Sequence, residues 1–276
     1  MVRQILKLIR IFNCLITFLT VFVGCYIISK SEINLILVLS SSLAAFFIAA
    51  GGNVINDVFD IENDKIAHPE RPLASNKISK NKAIIIYSLL NLLSIGILST
   101  TNFYILLLGV TTIFVLFLYS CCLKKIFLLS NIIIASLTGL TFIYSGVIVN
   151  NIKDSLIPTL FAFLINLIRE IVKDIQDISG DKNFNVNSLP IILGVDKTRK
   201  IILVLLIILV VSTIIPFMLE IYNIYYLAVI MTFVNPILFL CLLIIIKEIK
   251  SDNLRKVSNL LKINMLFGLL AIYLGK

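Results

Sequence analysis

Two short stretches carry most of this chain's capacity for chemistry. The first is Asn56-Asp57-Val58-Phe59-Asp60-Ile61-Glu62-Asn63-Asp64-Lys65, and the second is Lys173-Asp174-Ile175-Gln176-Asp177-Ile178-Ser179-Gly180-Asp181-Lys182. They share the frame Asp-x-x-Asp-Ile-x-x-Asp-Lys. On a helix, steps of three and four residues keep side chains on one face, so each stretch presents a stripe of carboxylates. With Glu70 and Glu170 beside them, the two windows hold nine of the 15 acidic residues. Like charges at this spacing repel, and the loss of solvation beside a bilayer raises the cost, so a cation is expected to offset them. Hard oxygen donors suit Mg²⁺, which usually takes one or two carboxylates, several waters and phosphate oxygens of a substrate. Two facing stripes would hold two or more Mg²⁺ ions and, through them, a diphosphate. The plainer reading is a pair of solvated helix ends balanced by nearby lysines, and the matching of the two motifs weighs against it.

The elements that must position these residues are membrane helices. The 276 residues are 59% hydrophobic and 14% charged, with a mean hydropathy of +1.07, too apolar for an ordinary soluble domain. A spanning helix needs roughly 17 to 25 mostly apolar residues. Nine runs qualify: Ile11–Ile28, Ile33–Val54, Ala83–Leu98, Phe103–Tyr119, Asn131–Val149, Leu156–Ile168, Ile201–Leu219, Ile224–Ile246 and Leu261–Leu274. The sixth reaches an adequate length only if it continues through the polar stretch after Ile168, and the second can continue past Val54 in the same way. The fold class is therefore all-α, a polytopic membrane protein whose nine helices use residues 1–276 as a single domain. Met1 to Ile28 has a basic start but no small-residue cleavage pattern, and reads as the first span rather than a signal peptide. The five cysteines lie in or beside apolar runs and read as packing residues.

Basic residues orient the bundle. With the N-terminus cytoplasmic, all but Lys30, Lys153 and Lys276 of the 24 lysines and arginines fall on the cytoplasmic side, as the positive-inside rule requires. The net charge of +9 is then a topology and lipid-surface signal with no call for nucleic acid. The long polar connections Asp57–Lys82 and Arg169–Lys200 share this face, which places the active site at the cytoplasmic side of the cell membrane.

The motif Asn56-Asp57-x-x-Asp60-x-x-x-Asp64, together with Asp177-x-x-x-Asp181, resembles the paired signatures of the UbiA family of intramembrane prenyltransferases. The order of spans agrees, with the motifs following the second and sixth of nine helices. Within the family, Pro69-Glu70-Arg71-Pro72-Leu73 and Arg169-Glu170-Ile171-Val172-Lys173-Asp174 look most like the branch of digeranylgeranylglyceryl phosphate synthases. The resemblance implies transfer of a polyprenyl group, in this branch geranylgeranyl, from its diphosphate to a lipid acceptor that carries its own phosphate. An aromatic quinone precursor or a tetrapyrrole is the alternative acceptor. It also implies that Asn56, Asp60, Asp64, Asp177 and Asp181 hold Mg²⁺, with Asp57 and Asp174 ranked behind them because a residue one step off the stripe is turned by about 100°. Arg71, Lys124, Lys125 and Lys182 are the candidate diphosphate-binding bases, with Lys65 a further one, and Lys197, Arg199 and Lys200 are candidates for the acceptor's phosphate. Positive-inside anchoring is the bland reading of all these bases.

His68, the only histidine, reads as a loop residue beside Pro69, which leaves almost no material for a Ser-His-Asp triad or a His-ligated metal. Asn53 reads as a helix-packing residue or as one that supports the ligands from behind. The rival from another class is an ion-coupled transporter, but transporter sites usually lie near mid-membrane on broken helices, whereas these motifs sit at helix ends.

Overall fold

The structure, a computed structural model, describes residues 2–30, 32–178, 187–247 and 250–276. Among these the regular elements are all helices, and nine of them are long and apolar enough to cross a membrane. In chain order the helices are α1 (Val2–Leu8), α2 (Ile11–Ile28), α3 (Leu35–Phe59), α4 (Ile61–Ala67), α5 (Lys80–Leu98), α6 (Phe103–Cys121), α7 (Leu129–Ile148) and α8 (Ile152–Gln176). They continue as α9 (Leu189–Leu193), α10 (Val195–Met218), α11 (Ile224–Lys247) and α12 (Ser251–Gly275).

The span order is as the sequence predicts, with instructive differences at the ends. Asn34 caps α3 by accepting from the Leu37 amide at 3.1 Å, which starts the helix at Leu35 and leaves Ile33 outside. The helix then runs past Val54 to Phe59, and α8 runs past Ile168 to Gln176. Ser79 caps α5, so it begins at Lys80 rather than Ala83. The largest correction is at the last span, where α12 begins at Ser251, well before Leu261, because Leu254, Val257 and Leu261 form a buried stripe at helical spacing. Arg255 and Lys256 therefore project from a helix rather than lie in a loop. The same holds for Lys197, Arg199 and Lys200, which sit in the first turns of α10. The short helices α1, α4 and α9 were not expected.

By packing, the chain divides into two compact units: Met1–Lys124 with Thr141–Ser155, and Lys125–Leu140 with Leu156–Lys276. In the first unit α3 is the hub, in contact with α1, α2, α4, α5 and α6. Its middle is built of small residues, Ser41, Ser42, Ala44, Ala50 and Gly51 among those buried, which let neighbouring backbones approach closely where no hydrophobic drive between helices exists. Two apolar clusters fill this unit. One joins Leu8, Ile9 and Cys14 to Val54, Ile55 and Val58 of α3 and to Leu73 and Ile78 of the connection after α4. The other joins Val21, Val38 and Ile48 to Leu98, Ile105 and Tyr144. The outward faces of α5 and α6 carry exposed Leu92, Leu93, Phe103 and Phe114, the surface that lipid covers.

In the second unit α11 packs on α10 and α12. Tyr226 is fully buried and donates its hydroxyl to the Thr213 carbonyl at 2.7 Å, while the Thr213 hydroxyl donates to Asn235 at 3.0 Å. These bonds lie on either side of a π-helical turn at Ile230–Val234, where the ladder of α11 is loosened.

Close helix approach in the first unit is directly testable. A Cβ on Gly109 would overlap Leu98 Cδ1, so Gly109→Ala should lower stability by about 1–3 kcal/mol, read as a lower Tm in detergent. Leu98→Ala should cost less in the Gly109→Ala background than in the wild-type chain. Equal costs in the two backgrounds would show that the pair does not touch.

Candidate functional site

The first acidic motif is not one continuous helix. Asp60 closes α3 with φ −96° and ψ 6°, outside helical values, and the chain resumes as α4 at Ile61. The four-residue bonds still bridge the break, with the Asp60 amide donating to Asn56 at 3.0 Å and the Asp64 amide to Asp60 at 2.8 Å. Asn56, Asp60 and Asp64 thus keep their succession although the regular helix is interrupted. Asn56 Nδ2 donates to Asp60 Oδ2 at 3.0 Å.

Each carboxylate of this motif that the structure buries has a basic partner. Asp57, 2% exposed at its side chain, accepts from Arg10 Nη2 at 2.6 Å and lies 3.6 Å from Arg71 Nη1. Asp64 accepts from Arg71 Nη1 at 2.6 Å, and Asp60 Oδ1 pairs with Lys124. Three carboxylates and three cations make a balanced cluster, which is how the repulsion anticipated from the sequence is met. Arg71 is held in place by its own loop: Arg71 N donates to the His68 carbonyl at 3.0 Å and Ser75 N to the Arg71 carbonyl at 2.9 Å, while Leu73, Ala74 and Ile78 anchor the segment in the core. Burial by itself would lower the Arg71 pKa. The carboxylates of Asp64, Asp57 and Asp60 outweigh it and push the pKa above the usual arginine value, so the group is always charged.

Arg10 was not among the sequence-derived candidates. It sits between α1 and α2 in the left-handed region, φ 53° and ψ 60°, a conformation that costs a non-glycine residue about 1–2 kcal/mol. That geometry turns the chain so that its side chain reaches Asp57. Asn53 joins the same corner, donating to the Ile9 carbonyl at 2.9 Å, as a helix-packing residue would. Lys65 instead pairs with exposed Glu62 at 2.7 Å, and His68 lies 3.8 Å from Glu70 in the loop.

The second motif lies in the second unit. Asp174 Oδ2 accepts from Asn131 Nδ2 of α7 at 2.9 Å, and Asn131 is a second residue that the sequence did not single out. Its only sequence signal is an amide at the start of an apolar span. The Asp177 amide donates to the Lys173 carbonyl at 2.9 Å and extends the ladder of α8. Glu170 accepts from Arg169 at 3.1 Å and from Lys173. Asp181 and Lys182 lie outside the described residues, and Lys125 belongs to the short turn Leu123–Lys125.

Among the described residues no three His, Cys, Asp or Glu side chains converge on a metal-sized centre. One atom nevertheless stands out. Asp64 Oδ2 is buried and has no hydrogen-bond partner, a costly state for a carboxylate oxygen. An unsatisfied hard oxygen next to the Asn56–Asp60 pair fits a hard divalent cation.

The Arg10–Asp57 pair gives a test of this corner. Arg10→Ala should destabilise the protein by about 3 kcal/mol, since it takes the hydrogen-bonded partner from a buried carboxylate and leaves it only Arg71 at 3.6 Å, and Asp57→Asn should recover much of that loss in the double variant. Additive costs in a double-mutant cycle would mean that the two groups do not interact.

Comparison with known proteins identifies the family. The sequence profile of the UbiA prenyltransferase family matches residues 17–266. Digeranylgeranylglyceryl phosphate synthase of Saccharolobus solfataricus is 37% identical over 276 residues, covering 99% of this chain and 96% of the relative. The protein of the same name from Methanocaldococcus jannaschii is 37% identical over 278 residues with the same coverage. A solved structure of digeranylgeranylglyceryl phosphate synthase superposes with a TM-score of 0.80 at 36% identity, over 99% of this chain and 98% of that one. A UbiA homolog from Archaeoglobus fulgidus bound to GPP and Mg²⁺ superposes with a TM-score of 0.70 at 17% identity, over 98% and 99%, a likeness of fold. With its nine apolar helices and a family profile running through nearly all of them, this multi-pass membrane protein belongs to the UbiA prenyltransferase family.

Proposed function

We propose that this protein transfers a geranylgeranyl group from its diphosphate to geranylgeranylglyceryl phosphate, a step in the synthesis of ether-linked membrane lipids, and that residues 1–276 work as one catalytic domain in the cell membrane. The observation that carries the reading is 37% identity, over 99% of the chain, to a relative named for that product. In support stands a cluster of carboxylates and cations suited to a metal-bound diphosphate. An ion-coupled transporter has no such support from the family.

In this proposal Asn56, Asp60 and Asp64 of the first motif and Asp177 and Asp181 of the second hold Mg²⁺. Asp57 and Asp174 stand behind them, each already engaged, the one by Arg10 and the other by Asn131. When bound, Mg²⁺ neutralises the diphosphate and makes it a better leaving group. Arg71 and Lys124, and with them Lys125 and Lys182, bind diphosphate oxygens. For Arg71 and Lys124 this means exchanging Asp64 and Asp60 for the substrate, a swap of one charge-assisted bond for another. The allylic carbon–oxygen bond breaks with its electron pair leaving on the diphosphate, and the acceptor hydroxyl gives up its proton to the released diphosphate as the new ether bond forms. Apolar side chains around the prenyl group keep out the water that would otherwise take its place. The N-terminus and the active site face the cytoplasm, a placement supported by the distribution of lysine and arginine.

Purified protein with labelled geranylgeranyl diphosphate should form product with geranylgeranylglyceryl phosphate but not with 4-hydroxybenzoate, dihydroxynaphthoate or haem. Transfer to an aromatic or tetrapyrrole acceptor would place the chain in another branch of the family. EDTA should stop turnover and added Mg²⁺ restore it, and full activity in EDTA would remove the metal. Asp60→Ala and Asp177→Ala should each lower kcat by at least about a hundredfold while the folded protein is retained. Near-normal rates in both would refute the site.

A further inference from the structure

One turn ahead of Asp174, α8 carries a second charged group of opposite sign. Arg169 and Lys173 stand four residues apart and share a face of the helix, with Glu170 between them. Its Oε1 accepts from Arg169 Nη1 at 3.1 Å and from Lys173 Nζ. From α12, Lys262 comes within electrostatic range of all three. Among the described residues Glu170 is the carboxylate paired with Arg169 and Lys173, so cations outnumber it where Lys262 approaches. Arg169 Nε is moreover buried and has no hydrogen-bond partner. A guanidinium donor left open in this way is short of an acceptor oxygen.

We propose that Arg169, Lys173 and Lys262 form the seat of the acceptor's phosphate monoester and so select a phosphorylated acceptor over a neutral one. The inference rests on the prenylglyceryl phosphate reading above and assigns residues to the half of the reaction that the acidic motifs do not serve. A phosphate monoester carries about −1.5 to −2 charges near neutral pH, opposite in sign to the excess on the cluster. Its three oxygens suit the planar fork of Arg169 together with the point charges of two lysines. Lys262 is exposed, and Arg169 and Lys173 are half-buried, so the group is not sealed off by protein. The basic residues that the sequence suggested for this task do not gather in the same way. Arg199 donates to the Ile246 carbonyl at the end of α11, and Lys197 and Lys200 point into solvent. Arg169 and Lys173 also lead directly into the second motif: Lys173 adjoins Asp174 on α8, and the Asp177 amide donates to the Lys173 carbonyl just past its end. The acceptor's free hydroxyl is thereby kept on the element that carries half of the proposed donor site.

The test uses the full chain in nanodiscs of neutral lipid, with geranylgeranylglyceryl phosphate and its dephosphorylated counterpart as paired acceptors. Lys262→Gln, at an exposed position, should raise the KM for the phosphorylated acceptor about tenfold. It should leave the KM for the prenyl diphosphate within about twofold and narrow the preference for the phosphorylated acceptor, and Lys262→Arg should restore both. Lys173→Gln should act in the same direction. Direct binding of each acceptor without donor or Mg²⁺ should show the same loss. A phosphodiester lipid with the same tails should bind weakly to wild-type and variant alike. Unchanged acceptor KM in both glutamine variants overturns the seat, as does a rise in the donor's KM instead of the acceptor's. Equal loss of affinity for the phosphodiester lipid also overturns it, by making the cluster a general lipid anchor. If wild-type transfers to the phosphorylated acceptor and the variants are unaffected, only the seat falls. If wild-type neither binds nor prenylates that acceptor, the functional reading falls with it.

Discussion

A carboxylate at the edge of a bilayer must be neutralised, and much of the first unit is arranged around that requirement. Asp57 is buried between α3 and the turn that joins α1 to α2, and Arg10 reaches it from a backbone conformation that few residues adopt. The pair ties the N-terminal helix to the hub of the unit. It also leaves Asp57 close to Arg71, which in turn holds Asp64. Removing one member of this chain leaves its neighbour charged and buried, which costs more than the pair itself contributes. Stability and the shape of the site are therefore set by the same contacts.

How the helix breaks matters as much as which charges it carries. Had α3 continued through Asp60, the acidic residues would form one rigid stripe repelling along its length. The interruption at Asp60 keeps the local bonds from Asn56 to Asp64 and lets each carboxylate meet a different cation: Lys124 from the turn after α6 and Arg71 from the loop after α4. Both partners come from connections between spans, and such segments combine order with the freedom to exchange partners.

The spans and their order were legible in the sequence because an apolar run of about twenty residues matches the thickness of a bilayer's hydrocarbon core. The acidic motifs were legible because membrane proteins carry few carboxylates and these recur in one frame. The extension of α3 and α8 into polar sequence followed from the same logic. What could not be read was anything decided by partners distant in sequence. Nothing in the local pattern distinguishes Arg10 from Arg3 or Lys7, and its role comes from a left-handed turn. Asn131 looks like any amide at a helix start until Asp174 is beside it. The early start of α12 was hidden by Arg255 and Lys256, whose charges suggest a loop. Their long stems let a buried stripe of Leu254, Val257 and Leu261 decide the structure.

Balanced pairing in the first motif bears on how fast ligands arrive. Three carboxylates and three cations within one cluster cancel, so a Debye length away, about 8 Å at physiological salt, the motif is electrically almost silent. It does not draw anions toward itself over distance. The surplus that gives the chain its net charge of +9 lies elsewhere, on basic residues such as Lys77, Lys80 and Lys82 around the start of α5 and Lys197 and Lys200 at the start of α10. An approaching anion meets this outer field, which salt screens, while the buried pairs keep their charges matched at any ionic strength.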